Sequence, residues 1–532
     1  MPTAMRTVPG GAAMSVATMR RPVKVSGKYV CGEHRVLIAC RASSTSHLFA
    51  HGGSRMTRAS SAAVRPYRLA AIAVLSAALL SFPPPDGAAA QERAGFGCSR
   101  TDVPHVPGAA HQQAACLKEL TTAGTVGSGH TDPADWAGLT PAGLPTPRGV
   151  PGVQIDGYFP DTSATNTNHG WKHDAQFVLR LPARWNGGLV VSGSPGNREQ
   201  YANDRAIGDW ALKRGYAFAA TDKGNTGVDF HRDGRAPVDA VAEWNERVTQ
   251  LTRAARATVT SHYHRPPART LATGMSNGGY LVRWQLENQP HLYDGGVDWE
   301  GTLWRADGEG PNLLTFLPPA LRHYPAYAAG GPDAGKARKA MHAAGFPRGT
   351  EFLWPYFYKN YWDLTQRIYR EEADPGFDGA TEAGTPFCTP GAPDGPPCDA
   401  DYDYAARPGE VHRDVAKIGL TGRIGKPLIT LHGTRDTLLP ISEDSDIYAR
   451  MVRKAGRDGL FRYYRIEDGN HVDSLADTYP DKLRPLTPCH RSAFTALEEW
   501  LDDGLRPPAG HTVPRPQHAS PHELLTSCPL GG

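Results

Sequence analysis

The stretch Leu271-Ala-Thr-Gly-Met-Ser-Asn-Gly-Gly-Tyr280 decides the fold. It contains Gly274-Met275-Ser276-Asn277-Gly278, a G-x-S-x-G sequence. Arg269, Thr270, Leu271 and Ala272 ahead of it read as a strand entering a sheet. After it, Tyr280, Leu281, Trp284 and Leu286 recur at helical spacing, which predicts a helix from about Ser276. A bare G-x-S-x-G arises easily by chance in a chain with 58 glycines. Strand before and helix after give this one its weight, because a serine at the tip of such a turn holds its hydroxyl in the open. Side chains at 274 and 278 would collide with the neighbouring strand and helix, and the helix N-terminus aims free N–H groups at the same place. Ser276 is therefore a candidate nucleophile.

Working outward, strands and helices alternate. Strands are predicted near Val153 to Tyr158, Ala175 to Leu181, Leu189 to Ser192, Tyr216 to Thr221 and Gly295 to Asp298, then Lys426 to Leu431 and Phe461 to Ile466. Helices are predicted from about Asp204 to Arg214, Val238 to His262 and His490 to Leu501. This alternation implies an α/β fold with a mostly parallel sheet and helices on both faces. The core is expected in two parts, 151–301 and 426–505, with a loop-rich wrap at 91–150 and a tail at 506–532. Between them, at 302–425, the alternation stops and an inserted lid is expected. This segment carries Phe352, Trp354, Tyr356, Phe357, Tyr358, Tyr361 and Trp362. These rings form either a lid core or, in part, a surface facing the substrate.

The N-terminus reads as a leader. Residues 1–55 show no stable period, and translation is expected to start at Met56. A basic region then ends at Arg65 and Arg68, an apolar run spans Leu69 to Phe82, and Ala88-Ala89-Ala90 precedes Gln91. That pattern is a secretory signal peptide over 56–90, its apolar run too short to span a membrane. Arg20-Arg21 is only a weak twin-arginine hint. Removing the eleven basic and two acidic residues before Gln91 leaves 46 basic against 52 acidic groups, so the formal charge of +3 becomes −6. Such a balance offers no basic footprint for nucleic acid and no polybasic membrane patch. Cys98, Cys116, Cys388, Cys398, Cys489 and Cys528 remain, none in a C-x-x-C pair. Disulfides in an oxidising compartment follow, with sequence nearness favouring 98–116, 388–398 and 489–528.

A serine nucleophile needs a base and an acid to orient that base. The strand ending at Leu431 runs into His432-Gly-Thr-Arg-Asp436, and the strand ending at Ile466 runs into Glu467-Asp-Gly-Asn-His471. His471 is assigned as general base and Asp436 as its orienting acid. Asp444 and Asp446 read instead as charges at a helix N-terminus, and Asp468 and Asp473 as rivals flanking the histidine. His432 reads as structural, bonded to the loop that presents Asp436. For a tetrahedral intermediate the N–H of Asn277 is one expected donor, with Gly193 or Ser194 supplying the second. The acidic cluster Asp294, Asp298, Glu300, Asp307 and Glu309 lacks EF-hand spacing and reads as a solvated or ion-paired loop rather than a calcium site. No metal or cofactor is expected.

The order serine turn, His432-Gly-x-x-Asp436 and Gly469-Asn-His471 resembles the α/β-hydrolase superfamily over about residues 150–505. More locally, Gly208-Asp-Trp-Ala-Leu-Lys-Arg-Gly-Tyr216, Ala220-Thr-Asp-Lys-Gly-Asn-Thr-Gly227 and Ser276-Asn-Gly-Gly279 resemble segments of the 3-hydroxybutyrate oligomer hydrolases. That resemblance implies a secreted ester hydrolase acting on a small or oligomeric ester. The tannase and feruloyl esterase group is similar in plan, but its members carry cysteines beside the nucleophile and the histidine, where this chain has Met275 and Asn470. That departure argues against this group. A peptidase on the same machinery and a catalytically silent binding protein are the rival readings. The second of these predicts a broken triad.

Overall fold

The computed structural model describes Cys98 and residues 103–306, 312–377 and 399–531. The predicted leader and signal segment, the 388–398 cysteine pair, and Asp307 and Glu309 lie outside the described residues.

Runs of Leu, Val, Ile and Ala build the centre of one sheet, because a strand covered on both faces has no solvent side to keep polar. The strands are β1 (His111–Leu117), β2 (Gly152–Tyr158), β3 (Gln176–Pro182), β4 (Gly188–Gly193), β5 (Ala217–Thr221), β6 (Arg269–Met275), β7 (Gly295–Trp299), β8 (Leu428–Gly433), β9 (Phe461–Ile466) and β10 (Thr512–Val513). Their spatial order is β1-β2-β3-β5-β4-β6-β7-β8-β9-β10. From β5 to β10 every neighbour is parallel, while β1, β2 and β3 join as an antiparallel edge. Helices Asp239–Tyr263, Asn277–Asn288 and Thr487–Asp503 pack on the sheet, and the whole is an α/β-hydrolase fold. Ser276, Glu300, Asp436 and His471 each follow the C-terminal end of a parallel strand, the edge where open α/β sheets place their ligands.

Two expectations need correcting. The segment 91–150 is not all loop, since it contributes β1 and the short helix Thr122–Ser128. The helix expected from Asp204 opens instead as a π turn, Asp204–Gly208, before its α-helical part Asp209–Lys213. Asp204 is held there by Arg180 of β3, whose two terminal nitrogens each lie 2.6 Å from its carboxylate. Arg180 also reaches Gln154 of β2 at 2.9 Å, and Gln154 touches Asp156 in turn. The polar positions of these alternating strands are therefore buried as well, in a satisfied network.

The segment between β7 and β8 is a helical insertion, with helices Leu313–Ala329, Ala334–Ala343, Asp363–Ala373 and Gly409–Ile418. Trp354, Phe357, Tyr358 and Trp362 are buried in it, whereas Tyr356 and Tyr361 turn toward a cavity over Ser276. The aromatic run thus divides into rings packed in the insertion and rings that line the cavity. Polar bonds fasten the insertion to the core. Trp362 Nε1 donates to Thr437 O at 2.7 Å, and Tyr280 Oη donates to Ile418 O at 2.9 Å. Glu372 accepts from Ala240 and Val241 N–H at the start of helix Asp239–Tyr263, at 2.9 and 3.2 Å.

Disulfides join Cys98 to Cys116 and Cys489 to Cys528, as sequence nearness favoured. Among the described residues no helix is long and apolar enough to cross a membrane.

Candidate active site

The turn after β6 forces Ser276 to φ 56°, ψ −123°, a backbone conformation that non-glycine residues avoid. Only bare flanks permit it. A Cβ on Gly274 would stand 2.6 Å from the Gly278 carbonyl carbon, and one on Gly278 would stand 2.5 Å from Gly193 O. Helix Asn277–Asn288 begins on the next residue.

His471, in the loop after β9, lies with Nε2 3.1 Å from Ser276 Oγ and Nδ1 2.8 Å from Asp436 Oδ2. The other Asp436 oxygen accepts from Leu438 and Leu439 N–H, both at 2.8 Å, so the carboxylate cannot swing away. Burial works against its ionisation, but His471 and then His432 outweigh burial and hold its pKa well below the usual carboxylate range. Burial likewise disfavours the charged form of His471, yet the adjoining Asp436 carboxylate raises its pKa above the ordinary 6.5. An imidazole donating from Nδ1 and accepting at Nε2 can take a proton from the serine. His432 is structural in placement: Nδ1 lies 2.7 Å from Ser445 Oγ, and Nε2 lies 2.9 Å from Leu439 O and 3.2 Å from Asp436. The rival acids have other partners. Asp444 bonds Arg283 and Leu303 N–H, Asp446 bonds Tyr463 and Arg465, Asp468 bonds Arg435 and Arg515, and Asp473 holds the start of helix Thr487–Asp503.

The acidic cluster does not form one loop site among its described members. Asp294 accepts from Thr270 N–H, Asp298 pairs with Arg283 at 2.6 Å, and Glu300 goes elsewhere. Glu300 is fully buried beneath the histidine, with φ 51°. One oxygen accepts from Gly433 N–H at 2.7 Å, while the other lies 3.7 Å from His471 Nδ1 and has no hydrogen-bond partner among the described residues. Burial, and then the Asp436 charge, raise its pKa well above 4.5. The cue in the sequence was its position directly after β7, at the same sheet edge as the triad.

Gly193 and Ser194, the expected second oxyanion donors, are not among the residues that line the cavity. Ser194 N–H donates to Thr221 O at 3.2 Å, and Gly193 packs against Leu281 and Gly278, so neither reaches the cavity. The strand runs one register step further than the sequence suggested, and Gly196 and Asn197 are the backbone units that line the cavity beside Ser276. Asn277 ties this loop to the elbow, its side-chain nitrogen donating to Gly196 O at 3.1 Å and to the Tyr369 hydroxyl. Ser194 Oγ closes the loop by donating to Arg198 O at 2.6 Å, and the buried Lys223 ammonium donates to that same hydroxyl. The cavity measures about 390 Å³ and is walled by Leu139, Leu313, Tyr356, Leu364 and Ile368 among others. Glu300, Asp436 and His471 are near enough to share an ion; the one hydrogen bond among them joins Asp436 to His471, while Glu300 bonds Gly433 N–H instead.

Two family models match, each over part of the chain. Residues 162–298, with the serine turn, match the family described as tannase and feruloyl esterase. Residues 390–530, with Asp436 and His471, match the 3HB-oligomer hydrolase family. The expectation that the missing cysteines set this chain apart from the tannase group is overturned, since the region around Ser276 matches it despite Met275. A mono(2-hydroxyethyl) terephthalate hydrolase of Piscinibacter sakaiensis is 31% identical over 142 residues, 24% of this chain and 23% of that protein. A D-(-)-3-hydroxybutyrate oligomer hydrolase of Cupriavidus necator is 28% identical over 109 residues, 20% of this chain and 14% of that one. The chain thus spans less than a quarter of the length of these relatives. Among solved structures, feruloyl esterase B of Aspergillus oryzae is similar at TM-score 0.46 and 12% identity, covering 77% of this chain and 91% of that one.

Proposed function

We propose that this protein is an exported serine ester hydrolase that cleaves short hydroxyacid oligoesters through an acyl-enzyme. The observation that carries the reading is the Ser276–His471–Asp436 relay, at 3.1 and 2.8 Å, with Ser276 held on a strained turn at the sheet edge. Ser276 Oγ attacks the ester carbonyl as its proton passes to His471 Nε2. The oxyanion is held by Asn277 N–H and by Gly196 or Asn197 N–H. Collapse expels the alcohol, which takes that proton from His471. Water then attacks the acyl-enzyme with His471 again as base, releasing the acid and restoring Ser276.

Export is supported by the signal-peptide pattern before Gln91 and by the two disulfides. The substrate class is supported by the 3HB-oligomer hydrolase match over residues 390–530, which bear the acid and base, and by a small, largely apolar cavity. A second reading, an aromatic acyl ester of the feruloyl or galloyl type, is favoured by the match over 162–298. A panel of 3-hydroxybutyrate dimer, feruloyl and galloyl esters, p-nitrophenyl esters and aminoacyl amides separates these readings. The dimer should lead. Preference for amides or aromatic acyl esters would overturn the substrate assignment. Activity surviving in Ser276→Ala, or no fluorophosphonate label on Ser276, would overturn the mechanism.

A further inference from the structure

We propose that Arg198 grips a carboxylate of the substrate, so that this cavity prefers esters bearing a free acid group close to the scissile bond. The inference rests on the ester-hydrolase reading above and names the subsite that selects among esters.

Charge distribution in the cavity is the first observation. Among the described residues no Asp, Glu or Lys lines it, and Arg198 is the one permanent cation among walls of Leu, Ile, Tyr and Asn. A guanidinium placed in such a wall costs desolvation unless an anion meets it. Yet Arg198 makes no ion pair among the described residues. Its one side-chain hydrogen bond among the described residues runs from Nη1 to a backbone oxygen, Asp135 O, at 2.8 Å. Most of its five N–H donors are therefore left for a ligand, and a planar fork matches a carboxylate in two bonds.

The residue is also fixed in place. Arg198 N–H donates to Pro195 O at 3.1 Å, and its carbonyl accepts from Ser194 Oγ at 2.6 Å. With the Nη1 anchor, both ends of the side chain are held, so little order remains to be gained on binding. Arg198 and Tyr356 of the helical insertion both line the cavity.

Nearby acids do not neutralise it. The Asp135 carboxyl is pushed up to about 8, by burial first and then by Glu199, and is protonated at neutral pH. Glu199 is itself raised by burial, which outweighs the lowering by Lys223 and Arg198. Location then sets the substrate. Arg198 lies one and two residues beyond Asn197 and Gly196, the N–H groups assigned to the oxyanion. A carboxylate on Arg198 is thus tethered close to the reacting carbonyl, as it is in a hydroxyacid dimer, whose acid group is two carbons from the ester oxygen.

The experiment compares 3-hydroxybutyrate dimer with its methyl ester, which removes the charge and keeps the scissile bond. Wild type should favour the free acid in kcat/KM. In Arg198→Ala that preference ratio should fall by about tenfold or more, and Arg198→Lys should fall between, keeping charge but losing the fork. An unchanged ratio in Arg198→Ala would overturn the proposal. Should Arg198→Ala not fold, wild-type inhibition by 3-hydroxybutyrate and by its amide decides. Stronger inhibition by the acid supports the grip, and equal inhibition overturns it. Wild type that cleaves methyl esters but not free acids overturns this inference alone, whereas wild type that cleaves no ester overturns the function it rests on.

Discussion

Replacing Asp436 by Asn tests the relay and its surroundings together. Asp436 Oδ1 is held by two N–H groups, from Leu438 and Leu439, at 2.8 Å each. An asparagine will keep its carbonyl oxygen there, because only an oxygen can accept them. Its NH₂ then faces His471 Nδ1, where Oδ2 stood at 2.8 Å. Two donors cannot share that contact, so Nδ1 gives up its proton and Nε2 carries it toward Ser276. That tautomer cannot accept the serine proton. Loss of the proper tautomer in a triad costs about 10⁴ in kcat, or about 5 kcal/mol of barrier.

Glu300 adds a second stage. Its free oxygen stands 3.7 Å from Nδ1, and after burial the Asp436 charge is the main cause that raises its pKa. Asp436→Asn removes that charge, so Glu300 ionises at a lower pH than in the wild type and restores a carboxylate beside Nδ1. Residual activity in Asp436→Asn should therefore climb with pH, and Asp436→Asn with Glu300→Gln should lose the climb. A pH-stat assay of dimer hydrolysis between about pH 5 and 9 reads both. A loss under about tenfold in the single variant, or identical profiles in single and double, would refute the reasoning.

Three further outcomes follow from the same coordinates. Because the base must be neutral and His471 is raised above 6.5, kcat/KM should fall with decreasing pH with its half-point above 6.5, and a plateau reaching about pH 5 would contradict it. Gly278→Ala puts a Cβ 2.5 Å from Gly193 O and must separate the elbow from β4, so kcat should drop by about 10²-fold, and wild-type turnover would exclude the close approach. Replacing Cys489 and Cys528 by Ser opens a 39-residue loop and should lower unfolding free energy by about 4 kcal/mol on the loop-entropy account, measured by urea titration; an unchanged midpoint would contradict it.

What could be read from the sequence divides along physical lines. Strands β4 and β8 were legible because their burial demands apolar runs, and β9 because Phe461, Tyr463, Tyr464 and Ile466 are strand-forming residues turned into the core. Ser276 was legible because its turn needs two bare neighbours, and Asp436 and His471 because each follows a legible strand. Strand β1 was not, since His111-Gln-Gln-Ala-Ala-Cys-Leu117 has no β-branched residue and takes its order from pairing with β2. The start at Asp204 was misread for a related reason: its geometry answers Arg180, 24 residues earlier, and no local pattern records that pairing.

The oxyanion loop and Glu300 share a deeper cause. In a parallel sheet, which N–H is free at a strand end depends on the neighbour's register and not on the strand's own residues. Thr221 of β5 takes the N–H of Ser194, and the loop residues that line the cavity are those further on, Pro195 to Arg198. Glu300 behaves alike. In the chain it is one acid among Asp294, Asp298, Asp307 and Glu309, which invites a reading as a solvated loop. In the sheet, β7 lies between the strand that carries the serine and the strand that leads to Asp436, so the residue leaving β7 must emerge under the histidine. Burial at that position, and then the neighbouring Asp436 charge, raise the Glu300 pKa, and neither cause is recorded in the residues around it in the chain. Positions of this kind become readable only when strand order is known, which is why the nucleophile could be found from ten residues and its surroundings could not.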